Sequence, residues 1–164
     1  MINNVELVNF FDMNLDEKKM ILSWRNNPFV KQWMYTEKNI ELKSHLNFIE
    51  GLKNTDEMLY FLVKEFDIDI GVVDFRNINA DSVIMGLYAN PMIKGKGSLL
   101  LEIIIDYAFN ILKVQKIYAE VFLKNDKAHC LYEKFGFQEF DKKIINNKTV
   151  TCMNLQQTKG RKDV

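Results

Sequence analysis

Two short segments of this chain hold residue types whose spacing could do chemistry. The first is Asn90-Pro91-Met92-Ile93-Lys94-Gly95-Lys96-Gly97-Ser98, which runs straight into an apolar stretch with helical periodicity. Gly95 and Gly97 remove two Cβ atoms, so backbone N–H groups can come close to a bulky anion. The helix start aims its N-terminal N–H groups and positive dipole end at the same place, and Lys94 and Lys96 add charge. A pyrophosphate fits such a cradle; the alternative is a flexible strand-to-helix turn. The spacing is not that of a P-loop, and the third glycine of a dinucleotide fingerprint is replaced by Leu100. The second segment, Asn125-Asp126-Lys127-Ala128-His129-Cys130-Leu131-Tyr132-Glu133-Lys134-Phe135-Gly136-Phe137, reads as a helix carrying a tyrosine and closed by Gly-Phe. Together the two segments point to a chain that holds a phosphate-bearing acyl carrier and moves its acyl group.

Those segments need a scaffold, and the periodicity supplies one. Residues 5–10 alternate as an opening strand. Asn14 or Asp16 can cap a helix reaching about Arg25, and Pro28 allows a new helical turn over residues 29–35. Residues 41–53 place Leu42, His45, Leu46, Ile49 and Leu52 on one helical stripe. Strands follow at 59–63, 70–75 and 82–89, with turns at Asp67 and at residues 77–81. The helix after the glycines covers 98–112, with Glu102, Asp106, Asn110 and Lys113 as a narrow polar stripe on an otherwise buried surface. A strand at 116–122, a helix at 126–135, and strands at 137–140 and 150–155 about the Asn146-Asn147 turn complete the series. The order predicts an α/β domain with a mixed sheet and helices packed on it. Residues 1–157 form one domain on this reading, and residues 158–164 a polar, frayed tail.

Bulk properties narrow the function further. The 164 residues suffice for one real core, and 48% apolar content argues against disorder. The 22 basic and 22 acidic residues balance, so a nucleic-acid partner is not expected. Cys130 and Cys152, the only cysteines, show neither metal-ligand spacing nor a disulfide framework. A reducing, cytoplasmic compartment and no metal are therefore expected. Met1 to Glu6 lacks the basic and apolar regions of a signal peptide. The longest apolar stretch is too interrupted to span a membrane.

At Met92-Ile93-Lys94-Gly95-Lys96-Gly97 and Asn125…Ala128…Tyr132…Gly136-Phe137 the chain resembles the GCN5-related N-acetyltransferase (GNAT) superfamily. The first motif of that family is Gln/Arg-x-x-Gly-x-Gly/Ala; here its leading position is Met92, and Lys94 or Lys96 can compensate for the lost side-chain contact. The second, Asn-x-x-Ala-x-x-x-Tyr-x-x-x-Gly-Phe, is met in full. The resemblance covers most of residues 57–140. It implies a V-split mixed sheet and acetyl-coenzyme A as co-substrate. The strand ending Leu87-Tyr88-Ala89 is then expected to pair with the pantetheine arm, and a backbone N–H near Leu87 or Tyr88 to stabilise the oxyanion. Lys94, Gly95, Lys96, Gly97 and Ser98 are expected to hold the pyrophosphate, and Asn125 to touch the pantetheine. Tyr132 becomes the general acid that protonates the departing thiolate; alone, it would read as an amphipathic core residue.

The N-terminal segments Trp24-Arg25-Asn26-Asn27-Pro28, Gln32-Trp33-Met34-Tyr35 and His45-Leu46-Asn47-Phe48-Ile49 resemble one branch of that superfamily. Its members acetylate UDP-4-amino-4,6-dideoxy-N-acetyl-β-L-altrosamine at the 4-amino group in pseudaminic acid biosynthesis, for flagellin glycosylation. A small-molecule nucleotide-sugar acceptor would want a cation for its diphosphate, which Arg25 can supply, unless Arg25 caps its helix C-terminus. The 6-methyl wants an apolar wall, for which Met34, Tyr35, Phe48 and Tyr88 are candidates; Met34 and Phe48 also read as ordinary core. His45 reads as an acceptor contact or as a satisfied, partly buried histidine. Glu120 is the candidate base, directly or through water, or a solvated strand carboxylate. His129 reads as surface, and Cys130 has no base in register. Two other readings stay open: a ribosomal-protein N-terminal acetyltransferase, and a non-catalytic acyl-coenzyme A binding module. The oligomeric state is open too, a homodimer among the options.

Overall fold

Residues 2–158 are described by a computed structural model of the chain. Turn chemistry sets its strand pairing. Phe66 and Asp67 both take positive φ (50° and 64°), as do Asn146 and Asn147 (49° and 62°). Two successive left-handed residues make the tight turn whose twist matches paired strands. The first turn joins β2 (Leu59–Glu65) to β3 (Ile68–Arg76), and the second joins β6 (Gln138–Ile145) to β7 (Lys148–Gln156). With β1 (Val5–Asn9), β4 (Ser82–Ala89) and β5 (Lys116–Phe122) they form one seven-stranded sheet in the order β1-β2-β3-β4-β5-β7-β6.

Every pairing is antiparallel except that of β4 with β5. The parallel pair is connected by α4 (Gly97–Asp106), which widens into a π-helical turn over Tyr107–Ile111. The sequence predicted one uniform helix here. Instead Leu112 donates its N–H to the Tyr107 carbonyl at 2.9 Å, five residues back. The Tyr107 ring is held at the turn, stacked on Phe75 at 5.0 Å and edge-on to Phe61 at 5.3 Å.

The two sheet faces carry separate cores. α4 and α5 (Asp126–Lys134) lie over Val73, Phe75, Val83, Met85 and Ile117, with Leu100 and Ile104 supplied by α4. The other face packs Leu62 and Val72 against Ile21 and Trp24 of α1 (Leu15–Asn26) and Ile49 of α3 (Leu42–Gly51). Asn14 caps α1 through a reciprocal box, its Oδ1 accepting from Glu17 N at 2.8 Å and its own N–H donating to Glu17 Oε1 at 3.1 Å.

Two expected boundaries move. The helix at Pro28 stops at Lys31 as α2 (Pro28–Lys31), because the next N–H groups bond three residues back, Trp33 to Val30 and Met34 to Lys31. Residues 32–41 then run as an irregular strap. β6 runs five residues past Phe140, since pairing with β7 continues to the Asn146-Asn147 turn. Its charged Asp141-Lys142-Lys143 run suits an exposed edge strand. Residues 159–164 of the expected tail lie outside the described residues.

Candidate active site

The parallel pairing is short. Only Ser82, Val83 and Ile84 find partners on β5, at Lys116, Ile117 and Tyr118. Beyond them the strands part, while β4 stays paired with β3 as far as Ala89. The backbone of Leu87, Tyr88 and Ala89 thus has a strand on one side only, a free edge inside the sheet. An extended ligand with amide groups can add there as a strand does.

The glycine segment sits at the end of that edge. Asn90 shapes it: Nδ2 donates to the Asp69 carbonyl and Oδ1 accepts from Met92 N, each at 2.9 Å. Its two glycines have different reasons. Gly95 has φ +82° with open space around it, so conformation alone demands it. At Gly97 a Cβ would come within 3.3 Å of Leu131 Cδ2, so the position lets α5 pack close. α4 has no side-chain cap. Among the described residues the N–H groups of Gly97, Ser98 and Leu99 have no backbone acceptor, which is the arrangement that takes an anion. Lys94 is exposed. Lys96 is turned back onto Glu65 of β2 at 2.6 Å, which tethers the loop and offsets part of its charge.

Across the cleft, Asn125 caps α5, its Oδ1 accepting from Ala128 N at 3.3 Å; that leaves the NH2 for a ligand. Tyr132 lies on α5 beside Phe137, with ring centroids 5.7 Å apart and only 7% of the residue exposed. Burial, with the Asp74 charge adding, pushes its phenol up to about 12. At neutral pH it is a proton donor and not a base. No other described residue hydrogen-bonds its hydroxyl.

The opposite sheet face holds the remaining candidates. Register lines up Tyr60, Asp74 and Gly86 across β2, β3 and β4. A Cβ on Gly86 would fall 2.4 Å from Asp74 Oδ2, so the carboxylate lies flat against the β4 backbone. Arg76 Nε donates to Asp74 Oδ1 at 3.0 Å, and its Nη2 to the Met85 carbonyl at 3.3 Å. Burial raises the Asp74 carboxyl above the ordinary carboxylate range although Arg76 opposes it. The Tyr60 and Tyr88 phenols, buried beside this carboxylate, are raised as well. Arg25 reaches the same neighbourhood from α1. Burial lowers its pKa, and its Nη1 is buried without a hydrogen-bond partner.

The strap closes one side. Tyr35 donates its hydroxyl to Glu120 Oε1 at 2.7 Å, and Asn146 Nδ2 donates to the Tyr35 carbonyl at 2.8 Å. Lys143 holds Glu120 Oε2, so both oxygens of that carboxylate are engaged. Burial would raise Glu120, but Lys143 and Tyr35 outweigh it and hold the carboxyl below its usual range. At the other end Asn26 makes a double link to Ile40, at 2.9 and 2.8 Å.

The structure therefore brings Arg25, Tyr35, Phe48, Tyr88 and Glu120 to one face. Phe48 is 39% exposed and stands edge-on to Tyr60 at 5.0 Å. Met34 is half-buried in the strap. His45 is buried, and its Nε2 donates to the Lys18 carbonyl at 2.8 Å, joining α3 to α1. That ring nitrogen serves helix packing, and burial lowers the ring's pKa. Sequence reading passed over Tyr60, Asp74, Arg76 and Lys143. A signal for two of them was present: Asp74 and Arg76 alternate within the apolar strand Ile-Gly-Val-Val-Asp-Phe-Arg, where a buried charge needs a reason. Among the described residues no His, Cys, Asp and Glu cluster could hold a metal ion. No helix among them is long and apolar enough to cross a membrane.

A split sheet with a free inner edge, a glycine cradle at a helix start and a tyrosine helix beside them define an acyl-coenzyme A-dependent transferase. The model of the acetyltransferase (GNAT) family matches residues 18–137, and the chain belongs to that family: it is an N-acetyltransferase whose co-substrate is acetyl-coenzyme A. Among curated proteins it is 44% identical over 137 residues to the acetyltransferase PseH of Campylobacter jejuni, covering 84% of this chain and 87% of that one. The crystal structure of the C. jejuni N-acetyltransferase PseH in complex with acetyl coenzyme A superposes with TM-score 0.79 at 35% identity, covering 94% of this chain and 99% of that one. The spermidine N-acetyltransferase of Vibrio cholerae with CoA and spermine gives TM-score 0.84 over 95% and 97% of the two chains, at 24% identity; this likeness is one of fold.

Proposed function

We propose that this enzyme transfers the acetyl group of acetyl-coenzyme A to the 4-amino group of UDP-4-amino-4,6-dideoxy-N-acetyl-β-L-altrosamine, in the path to pseudaminic acid for flagellin glycosylation. The identity to PseH, with nearly the whole length of both chains aligned, supports the branch. The observation that carries the acceptor class is Arg25. A buried guanidinium nitrogen without a partner is costly to keep, and an anionic acceptor such as a sugar diphosphate would satisfy it. Phe48, Tyr88 and Met34 offer the apolar wall that a 6-deoxy sugar needs. A protein N-terminus or a polyamine carries no anion to meet Arg25.

In this reading the pantetheine lies along Leu87–Ala89, with Asn125 at its side and the pyrophosphate on Gly95, Lys96, Gly97 and Ser98. The amine attacks the thioester carbonyl, and a backbone N–H at Leu87 or Tyr88 receives the oxyanion. As the C–S bond breaks, Tyr132 gives its proton to the thiolate. The exposed outer edge at β6 is where we place the contact of a homodimer. The test is thiol release from acetyl-coenzyme A with three acceptors in parallel: the UDP-amino-sugar, ribosomal N-terminal peptides and spermidine. Turnover with the sugar is expected; turnover with a peptide or spermidine and not the sugar overturns the acceptor assignment. Coenzyme binding without turnover of any acceptor would favour a non-catalytic binding module.

A further inference from the structure

An amine at neutral pH arrives as an ammonium and must lose a proton before it can attack. Glu120, the sequence candidate for that task, has both oxygens engaged, one by Tyr35 and one by Lys143. A carboxylate so held makes a weak base, and its bonds tie the strap to β5 and β6. A second carboxylate stands on the same face. Asp74 is buried but not sealed, with 11% of its side chain exposed. Arg76 takes its Oδ1, while among the described residues Oδ2 has no donor and rests against β4 at Gly86. Gly86 directly precedes the Leu87-Tyr88-Ala89 edge along which the thioester is expected to lie. The charged and titratable groups that share this neighbourhood are Tyr60 on β2, Arg76 on β3, Tyr88 on β4, Arg25 on α1 and Tyr132 on α5. Glu120 on β5 and Tyr35 of the strap face Arg76 from the other side, and of the two carboxylates Asp74 is the one with an oxygen left without a donor.

We infer that Asp74, held by Arg76 on the floor of the acceptor cleft, is the carboxylate that binds the incoming ammonium and takes its first proton. The inference rests on the reading that the acceptor amine is delivered to this face. The step balances. Asp74 accepts one ammonium proton and later gives it to solvent. The freed amine forms the C–N bond, and the C–S bond breaks. Tyr132 protonates the thiolate and is restored by the second proton, lost from the nitrogen of the tetrahedral intermediate. Burial moves the carboxyl upward from the ordinary carboxylate range, the direction that makes a carboxylate a stronger base.

The test compares Asp74→Asn, Arg76→Gln and Glu120→Gln across pH. The amine is whichever of the sugar, spermidine or a peptide the wild type acetylates. Failure with the sugar thus removes the substrate assignment and leaves Asp74 to be judged on another amine. Hydroxylamine, a nucleophile already neutral at pH 7, is the second acceptor. Asp74→Asn is expected to lose about a hundredfold in kcat/KM for the ammonium substrate near neutral pH, the low end of acid–base effects. Its residual rate should climb with pH as the amine loses its own proton. Its acetyl-coenzyme A affinity by calorimetry and its transfer to hydroxylamine should match the wild type. Arg76→Gln leaves the base but removes the cation that favours its ionised form, so the acid limb of the pH profile should move to higher pH. A wild-type pH profile in Asp74→Asn overturns the inference, as does equal loss with both nucleophiles. Loss of the acid limb in Glu120→Gln alone returns the role to Glu120.

Discussion

The two sides of the split sheet solve their binding problems with different parts of the chain. On the side we assign to the acetyl donor the proposed working groups are backbone: the unpaired edge of β4, the N–H groups at the start of α4, and glycines that clear the way. On the side we assign to the acceptor they are side chains drawn from α1, α3, the strap, strands β2 to β6 and the β6–β7 turn. A backbone site tolerates any sequence that keeps its shape, so its signature is a pair of glycines. A side-chain site is as specific as its members, and its members are far apart in sequence. The difference teaches that one scaffold can keep its donor while acceptors change.

Mutations can break this comparison, the largest effect first. Gly86→Ala touches the donor strand yet should injure the acceptor side, because its Cβ would sit 2.4 Å from Asp74 Oδ2 and displace the carboxylate. We expect about a hundredfold loss in kcat/KM for the amine, as for loss of a general base, with acetyl-coenzyme A affinity unchanged by calorimetry. A parallel loss of coenzyme affinity would show that the sides are not separable. Tyr132→Phe should lower kcat by at least about tenfold while the Kd for acetyl-coenzyme A holds, a threshold set below the roughly hundredfold low end of general-acid effects. An unaltered rate across the pH range removes Tyr132 from the reaction.

Gly95→Ala tests the donor side alone. Forcing Ala to φ +82° costs about 1–2 kcal/mol, so coenzyme affinity should weaken about fivefold or more at 1 kcal/mol and above. The amine KM should not move. Glu120→Gln should be the mildest. It loosens the strap and raises the amine KM about two- to threefold, in keeping with a partly exposed ion pair. It also changes stability. Glu120 sits below its usual range when folded, so its contribution is present above the unfolded carboxylate pKa and lost as pH falls through the folded one. Melting temperatures of the wild type should therefore drop more steeply than those of the variant below about pH 5, where glutamates begin to protonate.

Much of the donor side was legible because its signals are local. Gly95, Gly97, Asn125 and Tyr132 lie in two continuous segments, and the strands at 82–89 and 116–122 were bounded by clear turn residues. The acceptor side was legible only in part. Arg25, Tyr35, Phe48 and Tyr88 do converge, but nothing local reveals that Glu120 has both oxygens taken, since Tyr35 is 85 residues away in sequence. His45 reads the same on a helical wheel whether its ring faces a ligand or the Lys18 carbonyl. Asp74 hides in a mostly apolar strand, although its charge is visible to a residue-by-residue reading. The π-helical turn at Tyr107 depends on aromatic stacking with Phe61 and Phe75, which no periodicity encodes.

The three register pairs between β4 and β5 also govern how this protein opens. They make the sheet two plates joined at a narrow neck, with little backbone bonding to couple their fluctuations. In the pose proposed above, a coenzyme along β4 would act as a second tie-rod between the plates. Amide exchange beyond the neck, at residues 85–89, then follows a local opening in the empty protein and a far larger opening in the loaded one. Cooperativity of the whole domain becomes something its substrate confers.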